Sequence, residues 1–119
     1  MGLATQKIQK NRIATASQFA ADHSLTLVLK GSPSLIAMAD GTVIINPTGN
    51  AGMATGGSGD VLTGIIAGLM AQGLPQASIA GSYIHGQAGD YFAKNESETT
   101  LIAGDLLRSL PETLKRILP

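Results

Sequence analysis

Apolar and polar positions along the chain follow first one period and then another. Over residues 5–22 they recur at helical spacing, with Ile13, Ala16 and Ala20 on one face and Phe19 beside it. Lys7, Lys10 and Arg12 fall on the polar side, as expected of a solvated helix face. Asp22-His23-Ser24 breaks the pattern. Residues 25–29 (LTLVL) are then almost continuously apolar, the signature of a short strand buried in a parallel sheet, and Lys30-Gly31-Ser32-Pro33 closes it. Residues 34–39 and 42–45 flank Asp40-Gly41, which predicts a hairpin with Asp40 in its turn. Asn46-Pro47-Thr48-Gly49-Asn50 is punctuated as a loop.

Helical spacing returns at about Ser58. Val61, Leu62, Ile65, Ile66, Leu69 and Met70 form one broad apolar face, while Gly64, Ala67, Gly68 and Ala71 narrow the other side. Gly73 suits a helix C-terminus, with Pro75 just beyond. A further helix is predicted over 76–92, where Ala80, Tyr83, Ile84, Ala88 and Tyr91 recur and both tyrosines are expected in the core. Residues 94–100 read as a polar loop. Asp105 then caps a last helix carrying Leu106, Leu107, Leu110, Leu114 and Ile117, kinked or restarted at Pro111. Helix, strand, hairpin, glycine loop and helices in that order predict an α/β fold in which helices cover a sheet. The strands are too few for a closed doubly wound domain, so the chain is either a small irregular α/β unit or part of something larger.

Composition narrows the chemistry. The chain has 119 residues, 8 Lys+Arg against 8 Asp+Glu, and no cysteine. That length suits one domain. The balance removes the basic footprint of a nucleic-acid binder and of a surface that adheres to anionic lipid. Without cysteine there is neither a disulfide framework nor a thiolate metal site. No stretch has the length and apolarity of a membrane span, and MGLATQKIQKNR lacks the apolar core of a signal peptide. A cytoplasmic location is expected. Eight of the 15 glycines lie between Gly49 and Gly73. From Gly31 to Ala93 there is no Lys or Arg, and the acids are Asp40, Asp60 and Asp90 alone.

The uncharged, glycine-crowded middle is the candidate site. Thr55-Gly56-Gly57-Ser58-Gly59-Asp60 runs directly into an apolar helix. Glycines there keep side chains away from a ligand, and the first-turn N–H groups with the helix dipole favour phosphate or another anion. The spacing is neither GxxxxGK[ST] nor GxGxxG. With no cation nearby, backbone N–H groups must supply most of the anion stabilisation. Asp60, ionised on the first helical turn, could accept a proton from a hydroxyl that attacks a phosphoryl group. Its alternative role is to cap the helix. Residues 30–34 end a strand where open α/β folds bind ligands, or form an ordinary strand-end loop. His85 and Asp90 are five apart, a poor match to zinc-ligand spacing, and His85 is expected to be satisfied locally. His23 is expected to be idle in a surface turn.

Asn46-Pro47-Thr48-Gly49-Asn50 through Gly56-Gly57-Ser58-Gly59-Asp60-Val61-Leu62, with the upstream Lys30-Gly31, closely resembles the ADP/ATP-dependent NAD(P)H-hydrate dehydratases. These are the C-terminal, ribokinase-like domains of the YjeF-type metabolite repair proteins. Tyr83-Ile84-His85-Gly86-Gln87-Ala88-Gly89-Asp90 and Ala103-Gly104-Asp105-Leu106-Leu107 resemble the same family, so the likeness covers residues 8–117. The resemblance implies the C-terminal half of a ribokinase-like three-layer fold, with residues 1–119 as a single partial domain. It implies dehydration of the C6 hydrate of NADH or NADPH with ADP or ATP as co-substrate and Mg2+ in attendance. Lys30, Gly31, Ser32, Pro33 and Ser34 would border the nucleotide, with Ser34 where Thr is more usual. Gly56, Gly57, Ser58 and Gly59 would form the anion pocket, and Asp60 would contact the hydrate hydroxyl as base. No residue is implied as a metal ligand. Half a domain would expose sheet edge and apolar surface, so a homo-oligomer is expected. The competing functions are a ribokinase-like kinase for a vitamin-precursor alcohol and a nucleotide-binding or assembly module without catalysis.

Overall fold

The computed structural model describes residues 11–118, so the predicted start of the first helix, including Lys7 and Lys10, lies outside the described residues. The chain divides into two compact units, residues 1–46 and 47–119.

In the first unit, helix α1 (Arg12–His23) precedes strands β1 (Leu27–Leu29), β2 (Leu35–Ala37) and β3 (Val43–Ile45). The sheet order is β1-β2-β3 and both pairings are antiparallel, with Val28 opposite Ile36 and Ile36 opposite Ile44. The expected parallel strand is therefore corrected. A parallel partner needs a crossover of a dozen or more residues, whereas only residues 30–34 separate β1 from β2. Nor is β1 fully buried, since it is half-exposed throughout, and β2 is the strand with every residue buried. Ala16 and Ala20 of α1 meet Ala37 of β2, with Leu27, Leu29 and Val43 around them. Small side chains on both sides allow the helix to sit close to the sheet. Ile13, expected on the same face, is 53% exposed.

The Asp40-Gly41 hairpin forms as predicted. Met38 N–H donates to the Thr42 carbonyl at 2.7 Å, Gly41 N–H donates to the Met38 carbonyl, and Gly41 takes φ +90°. This is a three-residue loop whose last position must be left-handed, which explains its glycine. Asp40 Oδ1 accepts from Thr42 N–H at 2.9 Å, and this bond holds its carboxyl below the usual range.

The second unit is helical: α2 (Ser58–Ala71), α3 (Ala77–Asn95) and α4 (Ala103–Ile117), with single 3-10 turns at Ala51–Met53 and Glu98–Thr100. Its core joins Val61, Ala88, Leu101 and Leu106, and Met53, Ile65, Phe92, Ala103 and Leu110 pack against it. Gly81 lets α3 approach α2, because a Cβ there would press into Ile66. The last helix is not restarted at Pro111 but runs on through it. Tyr83 is on the surface rather than in the core, and Tyr91 is half-buried beneath the Arg116 guanidinium, 4.7 Å from its ring. Among the described residues, no helix is long and apolar enough to cross a membrane.

Candidate functional site

The glycine loop ends as the sequence predicts, on the first turn of a helix. Gly57 is the N-cap of α2 with φ +88°, and its backbone leads into Ser58, Gly59 and Asp60. Having no side chain, Gly57 offers no cap to the first-turn amides; the Ser58 N–H donates to the Thr55 carbonyl at 3.3 Å, and those of Gly59 and Asp60 cannot bond within the helix. A Cβ on Gly57 would meet that of Ala103 at 3.1 Å, so the start of α4 stands beside the start of α2. A Cβ on Gly56 would meet nothing within 4 Å. The surface in front of α2 is thus open, backbone-lined and at the positive end of a helix dipole, a geometry that receives anions.

Asp60 occupies the third helical position rather than the cap. Its side chain is exposed and makes no hydrogen bond or ion pair among the described residues. Capping as its role is thereby excluded: Gly57 holds that position. Ser58, in contrast, is 3% exposed and turned inward.

What holds this loop comes from α3, and the sequence reading missed it. His85 reaches beyond its own helix. Its Nε2 lies 2.9 Å from the Ser58 carbonyl, to which it can donate, and 3.3 Å from Ser58 Oγ. Asp90 reaches the other end: Oδ2 accepts from Gly49 N–H at 2.9 Å and Oδ1 from Asn50 Nδ2 at 3.0 Å. Asn50 Oδ1 in turn accepts from Gly52 N–H, capping the first 3-10 turn. Gly86 and Gly89 make room, since side chains there would overlap Thr48 and Met53. Thr48 Oγ1 donates to the Tyr83 carbonyl at 3.1 Å. The usable signal was the run H85-G86-x-x-G89-D90, two polar groups alternating with two glycines on one helix.

The remaining candidates lie in the first unit. Lys30, Gly31, Ser32 and Pro33 are exposed and Ser34 is half-buried. Ser34 Oγ bridges to the Gly31 backbone, accepting from its N–H at 3.4 Å and lying 3.3 Å from its carbonyl. Arg12 departs from the solvated face expected of it. Its guanidinium lies over Gly31, where any Cβ would overlap it, and donates to the Leu29 carbonyl at 3.4 Å.

Comparison with solved structures places the chain in a class. An ADP/ATP-dependent NAD(P)H-hydrate dehydratase from Bacillus subtilis, co-crystallised with ATP/Mg2+, superposes with a TM-score of 0.91 at 36% identity, covering 98% of this chain and 43% of that one. A ribokinase-like superfamily protein from Enterococcus faecalis superposes with a TM-score of 0.77 at 37% identity, covering 92% and 38%. The fold is therefore α/β of the ribokinase-like class, as expected. Residues 1–112 match the sequence model of the family described as NAD(P)H-hydrate dehydratase. The chain belongs to that family. It is 50% identical over 119 residues to a bifunctional NAD(P)H-hydrate repair enzyme of Moorella thermoacetica, covering 98% of this chain and 22% of that protein. It is 40% identical to an ADP-dependent (S)-NAD(P)H-hydrate dehydratase of Neisseria meningitidis, covering 89% and 37%. The chain thus spans well under half the length of these relatives.

Proposed function

We propose that this chain carries the nucleotide-phosphate site and the base of an ADP/ATP-dependent NAD(P)H-hydrate dehydratase. One observation carries the reading: a helix start at Gly57 without a side-chain cap, opened by Gly56, with an unengaged carboxylate on its first turn. Gly56, Gly57 and Gly59 receive the phosphates through backbone N–H groups, and Ser58, whose own N–H donates to the Thr55 carbonyl, is proposed beside them on the family resemblance. Lys30, Gly31, Ser32, Pro33 and Ser34 are further nucleotide contacts, proposed on the family resemblance alone. Asp60 takes the proton of the substrate C6 hydroxyl as that oxygen attacks the terminal phosphoryl group. Phosphate then leaves with the C6 oxygen, a neighbouring carbon gives up its proton, and the double bond of the reduced nicotinamide returns. The nucleotide supplies a leaving group far better than hydroxide.

Mg2+ fits this arrangement as a companion of the nucleotide. Among the described residues there is no group of three His, Cys, Asp or Glu side chains to hold it, and Mg2+ accepts phosphate and water ligands. Bound there it would neutralise phosphate charge. The single partial domain over residues 1–119, the cytoplasmic location and self-association belong to the same proposal. Self-association would use exposed apolar surface such as Ile45 on edge strand β3 and Met70 on α2.

The test supplies hydrated NADH with ADP or ATP and Mg2+ to the chain alone and to the chain fused behind the part of the Bacillus subtilis enzyme that it does not match. Recovery of reduced-nicotinamide absorbance in the fusion supports the reading. Phosphorylation of a vitamin-precursor alcohol without such recovery would transfer it to the kinase alternative. Nucleotide binding with neither reaction would leave the non-catalytic module.

A further inference from the structure

We propose that Asp90 and Asn50 form a reciprocal carboxylate–amide clasp which, with His85 on Ser58, sets the loop 49–58 in its phosphate-receiving shape. All three are positioning residues, and the inference rests on the nucleotide reading above. The loop needs such a support. It is rich in glycine, so its backbone is free to take many shapes, and binding phosphate would then carry the cost of ordering it. Both of its ends are instead gripped by one helix. Asp90 on α3 holds Gly49 N–H and the Asn50 amide, and Asn50 hands the constraint to Gly52 N–H. Five residues earlier on α3, His85 holds the Ser58 carbonyl at the first residue of α2. Between them, Gly86 and Gly89 allow Thr48 and Met53 to lie directly on the helix.

The polarity of the clasp is fixed. Asn50 cannot flip its amide, because Oδ1 is already committed to Gly52 N–H. Asp90 must therefore be an acceptor on both oxygens. Asp90→Asn places an NH2 against a donor, and Asn50→Asp places one carboxylate against another. The exchange Asn50→Asp/Asp90→Asn restores every bond with the same net charge. The amide now on α3 accepts from Gly49 N–H and donates to the carboxylate now on the loop, which still accepts from Gly52 N–H.

The experiment measures amide hydrogen exchange over residues 49–60 and ATP affinity by calorimetry, with thermal melting as a control for folding. Each single variant should speed exchange in the loop and weaken ATP binding by roughly 10-fold or more, the effect of losing a charge-assisted bond. The double exchange should return both readings to near wild type. His85→Leu should act like the single variants, whereas His85→Gln, which keeps a donor at the ε position, should retain most of the affinity. Singles that leave loop exchange unchanged, or a double exchange no better than the singles, overturn the clasp. A general loss of structure would speed exchange throughout the chain rather than in the loop, and would not be rescued by exchanging partners. If the wild-type protein binds no ATP, the nucleotide reading fails, and loop exchange still decides the clasp.

Discussion

Two helices of the second unit begin with the same pair of residues and use it in opposite ways. In α2 the sequence Ser58-Gly59-Asp60 follows N-cap Gly57, and in α4 Ala103-Gly104-Asp105 follows N-cap Ile102. Asp105 is turned back on its own helix. Its Oδ2 accepts from Ile102 N–H at 3.0 Å, Arg108 closes on Oδ1, and the residue is 9% exposed. Asp60 sits at the same helical position with no such engagement. The difference originates at the cap. Ile102 is extended, with φ −120° and ψ 165°, which points its N–H toward the third helical residue in half of a capping box. Gly57 is left-handed at φ +88°, a conformation that does not present its N–H to Asp60 in that way. One start is closed on its own helix, and the other leaves its carboxylate unengaged.

The sharpest way to break this comparison is to neutralise the open carboxylate. Asp60→Asn in the active protein should lower turnover by roughly 10²–10⁴-fold, the usual contribution of a positioned general base. Folding stability should change by no more than about 1 kcal/mol, since only an interaction with the helix dipole is lost. Steady-state rates and thermal melts on the same preparation check both halves. Near-normal turnover would reduce Asp60 to a dipole partner.

A smaller and cleaner effect is expected from Gly56→Val. The first atom added there meets no protein atom within 4 Å, and Gly56 does not need a left-handed backbone. The variant should fold normally while its side chain intrudes on bound phosphate. Calorimetry should show ATP affinity reduced by about 10-fold or more, equivalent to the loss of a hydrogen bond to a charged group. Gly57→Val is a poorer probe, because φ +88° and the contact with Ala103 would strain the fold itself. Unchanged affinity in a folded Gly56→Val would move the phosphates elsewhere.

The contrast also marks what could be read from the residues alone. Within the described residues, the helices, the Asp40-Gly41 hairpin and the junction at Ser58 follow local rules and stand in the structure, while Ile13, Met70 and Tyr83 leave the buried faces that the periods gave them. How differently the two Gly-Asp starts present their carboxylates turns on the backbone angles at each cap, which the residues do not state. Strand direction was misread for a related reason. A short apolar run looks alike in parallel and antiparallel sheets, and only the shortness of the 30–34 connection separates them. Arg12 on Gly31 and His85 on Ser58 are contacts between positions 19 and 27 apart, which no spacing rule reaches. The glycines at 31, 86 and 89 were the indirect trace of close approaches, although a glycine names no partner.

The closed start makes the last prediction, and the smallest effect. The bond from Ile102 N–H, and then Arg108, hold the Asp105 carboxyl below the ordinary aspartate range. A carboxylate whose folded value is depressed adds stability that is present above its unfolded value, near 3.9. That stability is lost as the pH falls from there through the lower folded value. Melting temperature should therefore drop with acid below about pH 4 more steeply than in Asp105→Asn, which still accepts from Ile102 N–H and has no proton to gain. Asp40 carries a shift of the same sign through Thr42, so some acid sensitivity should remain in the variant. Identical acid limbs for the wild type and Asp105→Asn would show that this carboxylate contributes nothing through its charge, and the two helix starts would then differ in geometry alone.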